Sequence, residues 1–363
     1  MKVNRILCVI LALILVCSLF AGCGNSGNQA GQSQNSKGAL PVVRFAAVPG
    51  LPGMPAMYLA ESGIDEKYGF TAEVTYYASG IPMNEALAAG LWDVGPIGAA
   101  AVTSLAQYDA KLIADITSGL PGVSIIVPKD SPIANVTGAS KEYPDIRGDA
   151  GSVRGARFLT VKGAMMNYLA LLYLQSIGLT ENDVELIHME QSQLGTAFSS
   201  GEAEIASMGP PATTFNLLKS GEAVELANFK MLGNPQQEVL LASNDFYTKN
   251  SELLVKVVAA YFEANDKLSS DVELQKEYLK KWYKDNGQDV IDEAIAREVG
   301  DGSVIISSER AKADIDKLGS FLYGVAEFNA KSGSLEKEKL DVIKNNIKND
   351  ILKKALELLA QKK

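Results

Sequence analysis

Residues 85–94 read EALAAGLWDV, and residues 196–205 read TAFSSGEAEI, 111 positions further along the chain. Residues 43–50 (VRFAAVPG) have a similar echo in residues 156–163 (ARFLTVKG). Two segments that recur in the same order at nearly the same spacing indicate an internal repeat of about 112 residues. Because solenoids consist of more and shorter repeats, the pattern predicts two lobes of similar topology.

Each repeat reads as a strand, a helix, a second strand, a helix that ends at glycine, a third strand and a further helix. Strands that alternate with helices favour parallel βαβ units, so we expect a doubly wound α/β fold in each lobe and a cleft between the lobes. Crossings between the lobes are expected near residues 117–122 and 223–229. The predicted strands are Val42–Val48, Ala72–Tyr77, Asp93–Ile97, Arg157–Val161, Val184–Met189 and Glu204–Met208.

The chain from about Asn244 to its end has apolar residues at helical spacing, which predicts a helical C-terminal region. Its last part, residues 335–363, is rich in lysine and amphipathic. We expect a surface helix packed on a lobe there. A helix that binds a membrane or a partner is the alternative.

The N-terminus has the pattern of an export signal. Lys2 and Arg5 precede an apolar run over residues 6–20, which is too short for a membrane span. The run ends in LFAGC, which resembles the bacterial lipoprotein box. This resemblance implies that residues 1–22 form a lipoprotein signal peptide and that Cys23 becomes a lipid-modified N-terminus.

The segment after Cys23 is almost entirely Gly, Ser, Asn and Gln, which cannot bury enough apolar surface to order itself. We therefore predict a flexible tether over residues 23–40. Residues 41–120 would form the first part of lobe 1, and residues 121–226 would form lobe 2. Residues 227–363 would return to lobe 1 and supply the C-terminal helices.

Composition excludes several classes of protein. The 34 basic and 43 acidic residues give a net charge of −9, which makes nucleic acid a poor partner. No cysteine follows Cys23, and His188 is the only histidine, so the sequence offers neither a thiolate nucleophile nor a histidine-rich metal site. P-loop, GxSxG and HExxH motifs are absent. We expect no catalytic residues, no metal and no cofactor, and a monomer that binds a small molecule.

Ligands of open α/β sheets bind beyond the carboxyl ends of the strands. The six loops at those positions are rich in Gly, Ser and Pro, and each precedes a helix whose N-terminus offers free N–H groups and a partial positive charge. Turn formation alone would explain any single loop, but six loops that converge predict a cleft. Lys162 would supply a cation beside a bound anion. The candidate ligand-binding residues are Met54, Ser79, Gly80, Ile97, Gly98, Ser118, Lys162, Gly163, Ala164, Gln191, Gly209 and Pro210.

Several stretches of the chain together match a known family. They are the signal that ends at Cys23 and residues 57–63 (MYLAESG), 68–70 (YGF), 86–95 (ALAAGLWDVG), 131–133 (SPI) and 177–184 (IGLTENDV). These stretches resemble the nitrate/sulfonate/taurine and thiamine-precursor group of ABC-transporter substrate-binding proteins. The resemblance covers about residues 42–229 and implies the type II periplasmic-binding-protein fold. It further implies that two hinged lobes close on a ligand and dock on a membrane permease at the extracytoplasmic face of the cell membrane.

Two classes of function remain open. The first is a lipid-anchored binding protein that feeds an ABC importer with a small organic anion, for which the helix N-termini favour a sulfonate-like group; a thiamine pyrimidine precursor or another heterocycle is the alternative ligand. The second is an enzyme on the same fold, of the pyrimidine synthase or desulfinase type. The export signal and the absence of cysteine after Cys23 favour the first class.

Overall fold

A computed structural model describes residues 39–119, 123–209, 212–234, 236–300 and 304–362. The predicted signal peptide, Cys23, nearly all of the predicted tether and Pro210 lie outside the described residues. The fold below is that of the unit that begins at Leu40.

Ten strands of the described residues form two five-stranded sheets, one in each lobe. The sheet of lobe 1 has the order β2-β1-β3-β10-β4, and the sheet of lobe 2 has the order β7-β6-β8-β5-β9. The strands are β1 Val42–Ala47, β2 Thr71–Tyr76, β3 Val94–Ile97, β4 Lys111–Ser118, β5 Ser124–Pro128, β6 Arg157–Thr160, β7 Glu185–His188, β8 Ile205–Met208, β9 Ala223–Asn228 and β10 Gln237–Ala242.

The expected α/β fold with two lobes is confirmed, but neither sheet is purely parallel. β10 runs antiparallel to β3 and β4, and β5 runs antiparallel to β8 and β9. β5 is the first strand after the chain crosses into lobe 2, and β10 is the first strand after it returns to lobe 1. A strand entered without a helical crossover is free to run antiparallel to its neighbours. Residues 223–228 form the edge strand β9, so the second crossing follows Asn228 instead of lying within 223–229.

Helices surround both sheets, and the C-terminal part of the chain consists mainly of helices. The sequence pattern correctly predicts helical structure from Asn244 onward. The helices are α1 Met54–Glu61, α2 Ile64–Tyr68, α3 Gly80–Ala88, α4 Ala101–Gln107, α5 Ala150–Val153, α6 Met165–Ser176, α7 Gln191–Ser199, α8 Ala212–Lys219, α9 Asn244–Lys249, α10 Ser251–Ser270, α11 Val272–Asp285, α12 Asp292–Val299, α13 Ser308–Ala313, α14 Ser320–Lys331, α15 Lys339–Asn345 and α16 Asp350–Lys362.

The internal repeat has a structural counterpart in two ion pairs. In lobe 1, Asp93 accepts hydrogen bonds from the backbone N–H of Arg44 at 2.9 Å and from its guanidinium at 2.6 Å. In lobe 2, Glu204 accepts from the backbone N–H of Arg157 at 2.8 Å and from its guanidinium at 2.5 Å. Each pair lies at the amino ends of two neighbouring parallel strands. The pairs therefore align the strands at the end away from the expected cleft.

The C-terminal helix α16 packs against α10, a long helix of lobe 1. Its apolar residues Ile351, Leu352 and Leu359 are buried, so the amphipathic pattern serves packing within lobe 1. None of the helices in the described ranges is both long and apolar enough to cross a membrane.

Candidate functional site

A cavity of about 90 Å³, called the chamber below, lies between the two lobes where their strands end. Lobe 1 surrounds it with the loops after β1, β2 and β3, with the start of β10 and with α12. Lobe 2 contributes the loops after β6 and β7, together with the start of α6. The lining residues are Val48, Pro49, Gly50, Pro52, Ala78, Ser79, Gly80, Ile97, Gly98, Ala99, Ala100, Val123, Ala164, Met165, Met166, Gln191, Gln236, Glu238 and Glu298.

Half of the candidate ligand-binding residues line the chamber. Lobe 1 places four of them there, and lobe 2 places two. Those from lobe 1 follow β2 and β3, except Ile97, which ends β3, and those from lobe 2 follow β6 and β7, as expected for the carboxyl ends of parallel strands. The six residues are Ser79, Gly80, Ile97, Gly98, Ala164 and Gln191.

The other candidates lie elsewhere. Met54 is fully buried in the core of lobe 1, as its apolar side chain favours. Ser118 ends β4 and does not line the chamber, and its N–H donates to the carbonyl of Val304 at 2.9 Å. Lys162 and Gly163 are exposed and also lie outside the chamber lining.

A wider cleft of about 910 Å³, called the vestibule below, adjoins the chamber and shares Pro49, Ala78 and Gln191 with it. Gly209 lines the vestibule, and Pro210 lies outside the described residues. A ligand that enters from solvent would reach the chamber through this cleft.

Three helices begin at the chamber without a side-chain cap. α3 follows Ser79, α6 follows Ala164 and α7 follows Glu190, and none of these three residues caps its helix through its side chain. The first N–H groups of such helices are available to a ligand's acceptor atoms.

Two glycines permit close approach at this edge of lobe 1. A Cβ atom at Gly80 would lie 2.5 Å from the Cβ of Ala100, which no packing tolerates. A Cβ at Gly98 would lie 3.1 Å from Oε1 of Glu238. The glycine at position 98 therefore leaves room for the Glu238 carboxyl in the wall of the chamber.

Three polar side chains form one wall of the chamber, although sequence reasoning did not select any of them. Gln236 and Glu238 flank the start of β10, and Glu298 lies near the end of α12. Gln236 is 1% exposed, Glu238 is 8% exposed and Glu298 is 2% exposed. β10 runs antiparallel, so its amino end lies at the edge where the parallel strands have their carboxyl ends. A search restricted to carboxyl ends could not find it.

Glu298 also organises the loop after β1. Its Oε1 accepts a hydrogen bond from the N–H of Leu51 at 2.8 Å, and its Oε2 accepts one from the hydroxyl of Tyr283, also at 2.8 Å. The indole N–H of Trp282 donates to the carbonyl of Val48 at 3.1 Å. The C-terminal helices thereby hold one loop of the chamber in place.

Burial raises the pKa of both chamber carboxyls. The pKa of Glu298 rises to about 7 because of burial, against the opposing hydrogen bonds from Leu51 and Tyr283. Burial likewise raises the pKa of Glu238 to about 7, and the nearby Glu298 raises it further while a hydrogen bond from Gln236 lowers it. Near neutral pH, each carboxyl can hold or release a proton as its surroundings change.

The charges around the chamber have one sign. Glu238 and Glu298 line the chamber, and Glu190 and Asp289 line the vestibule. Among the described residues, neither lining contains lysine, arginine or histidine. The described ranges also contain no group of three or more His, Cys, Asp and Glu side chains that could hold a metal ion.

The chain matches the model of the NMT1-like family over residues 37–281. The chain belongs to the NMT1-like family. A protein of Brachyspira hyodysenteriae named as an ABC transporter periplasmic binding protein is 32% identical over 82% of this chain and 85% of its own length. A Bacillus subtilis protein named as an aliphatic sulfonates-binding protein is 25% identical over 80% of this chain and 80% of its own length.

Solved structures show the same fold as this NMT1-like chain. The periplasmic aliphatic sulphonate binding protein of Escherichia coli has a TM-score of 0.65 at 19% identity, covering 85% of this chain and 92% of its own. The periplasmic nitrate-binding protein of Synechocystis has a TM-score of 0.67 at 16% identity, covering 88% and 89%. These likenesses confirm the periplasmic-binding-protein fold. The family and its relatives confirm that this NMT1-like protein is an ABC-type binding protein and not an enzyme.

Proposed function

We propose that this NMT1-like protein captures one small molecule in the chamber and delivers it to the permease of an ABC importer. The observation that carries the proposal is a cavity whose lining comes from both lobes, at the edge where the loops of both sheets meet. Binding proteins of this architecture sequester a ligand by closing the two lobes around it. The protein would act as a monomer, with the permease subunits as its partners at the membrane.

The proposed ligand site consists of Ser79, Gly80 and Gly98 from lobe 1 and Ala164 and Gln191 from lobe 2. Ser79 is 6% exposed, and its hydroxyl has no hydrogen-bond partner among the described residues. A buried hydroxyl without a partner costs free energy that a ligand can recover by bonding to it.

Closure of the lobes would take place about the two chain crossings, after Ser118 and after Asn228. The lobes already touch outside the chamber, where Lys219 of α8 pairs with Glu293 of α12 at 2.8 Å. The guanidinium of Arg297 also lies 5.7 Å from the ring centre of Phe215. Such exposed contacts are weak and can form and break as the lobes move.

The expected lipid anchor is part of the proposal. It is supported by the apolar run that ends at Cys23 and by the Gly/Ser/Asn/Gln-rich segment that follows it. Attachment there would keep the protein at the extracytoplasmic face of the cell membrane. The change Cys23→Ala should release the protein from the membrane fraction, and a native protein whose intact mass still includes residues 1–22 would contradict the anchor.

The chamber lining does not support the two expected ligand classes equally. The sulfonate-like anion is supported by the names of relatives and by the uncapped helix N-termini. Against it stand the two buried carboxyls and the absence of a lining cation among the described residues. A helix N-terminus stabilises an anion by about 0.3–1 kcal/mol, and by up to about 2 kcal/mol where it is partly buried, whereas a buried carboxylate close to the anion repels it. The chamber lining therefore supports the alternative ligand, a thiamine pyrimidine precursor or another heterocycle with hydrogen-bond donors, better than the sulfonate-like anion.

The test of the proposal is the capture of a ligand from a complex mixture. The purified protein is incubated with the dialysable small molecules of a bacterial extract and examined by native mass spectrometry. We expect one small molecule bound per chain, and we expect Ser79→Leu to abolish capture because the larger side chain occupies the chamber.

The matched control is Ser270→Leu, at an exposed serine at the end of α10. Capture that persists in Ser79→Leu, or that is absent from the wild-type protein, would contradict the proposed function. Small-angle scattering should show a smaller radius of gyration for the loaded protein than for the unloaded one.

A further inference from the structure

The polar wall of the chamber presents hydrogen-bond acceptors. Among the described residues, Oε2 of Glu238 and Oε1 of Gln236 have no donor. Oε1 of Glu238 receives only a long hydrogen bond, 3.4 Å, from Nε2 of Gln236. The Ser79 hydroxyl is likewise unpartnered and can accept. Buried acceptors without donors are costly, so this wall is complementary to a ligand that brings N–H or O–H groups.

The remaining walls are complementary to the rest of such a ligand. Met165 and Met166 of lobe 2 and Ile97 of lobe 1 supply apolar surface. The uncapped starts of α3 and α6 supply N–H groups. A complementary ligand would thus carry hydrogen-bond donors on one side and acceptors on another, joined by an apolar organic framework.

We propose that the chamber selects a small organic base that donates N–H hydrogen bonds to Glu238 and Gln236. This inference rests on the proposed function, because it names the ligand class of the same site. Glu298 would add negative charge behind Glu238, and the acidic vestibule residues Glu190 and Asp289 would attract a cation toward the chamber. Among the described residues, every charged side chain that lines the chamber or the vestibule is a carboxyl, so a simple anion would meet no cation there.

The proposal includes a proton step. When a protonated base binds, its N–H faces the Glu238 carboxyl, and that carboxyl releases its proton to solvent. The product is one carboxylate–cation pair, and each Glu238 carboxyl that was protonated before binding loses one proton to solvent. Affinity for a base that stays protonated should therefore rise with pH until the pH passes the Glu238 pKa of about 7, and should level off above it.

The groups around Glu238 are consistent with this step. Glu298, from α12, raises the pKa of Glu238 toward the value of about 7 that burial mainly sets. Tyr261 from α10 and Tyr283 from α11 stay protonated near neutral pH because burial raises the pKa of each hydroxyl. Gln236 does not titrate. The two carboxyls are thus the groups of this cluster that change charge near neutral pH.

The central experiment compares ligand pairs that differ only in a nitrogen base. The pairs are 4-aminopyrimidine with pyrimidine, and 2-aminoethanesulfonate with ethanesulfonate, and titration calorimetry on the full chain measures each Kd. We expect the amine-bearing member of at least one pair to bind at least tenfold more tightly than its partner. Glu238→Gln should remove that preference, because the amide replaces an acceptor with a donor.

The control variant is Asp115→Asn. Asp115 has a carboxyl whose pKa burial also raises to about 7, but it lines a separate cavity and accepts from the N–H of Gly319. This variant should keep wild-type affinity and preference. If Glu238→Gln fails to fold, wild-type calorimetry with 2-aminoethanesulfonate in two buffers of different ionisation enthalpy replaces it. Because the pKa of Glu238 is about 7, release of about half a proton per bound molecule is expected at pH 7, and of nearly one proton at about pH 5.5.

The outcomes separate this inference from the proposed function. Equal binding within both pairs, tighter binding of the amine-free members, or an undiminished preference in Glu238→Gln would overturn the organic-base inference. Capture of an extract molecule that depends on Ser79 would in those cases still support the proposed function. Absence of capture from the extract together with absence of binding by all four probes would overturn both.

Discussion

The two lobes share a topology, yet they contribute opposite surfaces to the chamber. Lobe 1 supplies the hydrogen-bond acceptors Glu238 and Glu298, the serine hydroxyl of Ser79 and two glycines that admit a close approach. Lobe 2 supplies mainly apolar surface from Met165 and neighbouring residues, with Gln191 as its polar group. Duplication of a fold therefore did not produce a symmetric site. Under the proposed function, lobe 1 would select the ligand and lobe 2 would cover it.

The largest effect on stability should come from Glu298→Ala in lobe 1. The change leaves the buried Leu51 N–H and the Tyr283 hydroxyl without their acceptor. Each loss costs about 1–3 kcal/mol, so the free energy of unfolding should fall by about 2–6 kcal/mol. Gln191→Ala, the matched change in lobe 2, should alter it by less than about 0.5 kcal/mol because Gln191 is only partly buried. Urea unfolding measures both. Equal losses would mean that the chamber walls of the two lobes are organised alike.

The next effect is the change of the free energy of unfolding with pH. A carboxyl whose pKa is raised from 4.5 to about 7 on folding binds its proton more firmly in the folded state than in the unfolded state. The contribution of Glu238 to stability should therefore decline as the pH rises from about 4.5 through about 7, and level off above that. Urea unfolding of the ligand-free protein at pH 5 and pH 8 should show this decline, and Glu238→Gln should reduce it.

Glu298 and Asp115, whose pKa values are also raised to about 7, contribute a decline of the same sign. The comparison with Glu238→Gln isolates the chamber carboxyl from them. A pH dependence identical in the variant would show that the pKa of Glu238 does not change on folding, and that Glu238 is ionised at neutral pH.

A smaller difference should appear between the two equivalent ion pairs. The Asp93 side chain is 12% exposed and the Glu204 side chain is 45% exposed. Asp93→Ala should cost about 1–3 kcal/mol, because it leaves the part-buried backbone N–H of Arg44 without its acceptor. Glu204→Ala should cost about 0–1 kcal/mol, because solvent screens an exposed pair. Thermal unfolding tests the contrast, and a larger loss for Glu204→Ala would reverse the ranking of the lobes.

The smallest effect should come from Lys162→Ala. Lys162 is exposed and does not line the chamber, so we expect less than a twofold change in the Kd of any bound ligand. A tenfold loss for an anionic ligand would instead give lobe 2 a charged role in binding. That result would support the role that the sequence predicts for Lys162, a cation beside a bound anion.

The residues that sequence reasoning placed at the chamber share one property. Ser79, Gly80, Gly98, Ala164 and Gln191 follow strands of βαβ units, where local pattern and topology coincide. Their role in binding stays a prediction until a ligand is bound. Met54 lies in the core instead; a methionine at a helix start has the same sequence pattern whether it faces a cleft or the core.

The sequence by itself determined the two-lobed α/β architecture, the family and most strands, because hydrophobic periodicity and an internal repeat are local or nearly local signals. Only the tertiary structure decided which charged side chains line the chamber. Glu238 reaches the chamber because β10 runs antiparallel, and Glu298 reaches it because the C-terminal helices pack back on lobe 1. The direction of the first strand after a crossing and the docking of the C-terminal helices both depend on contacts between residues far apart in the chain. Neither therefore produces a periodic pattern in the sequence.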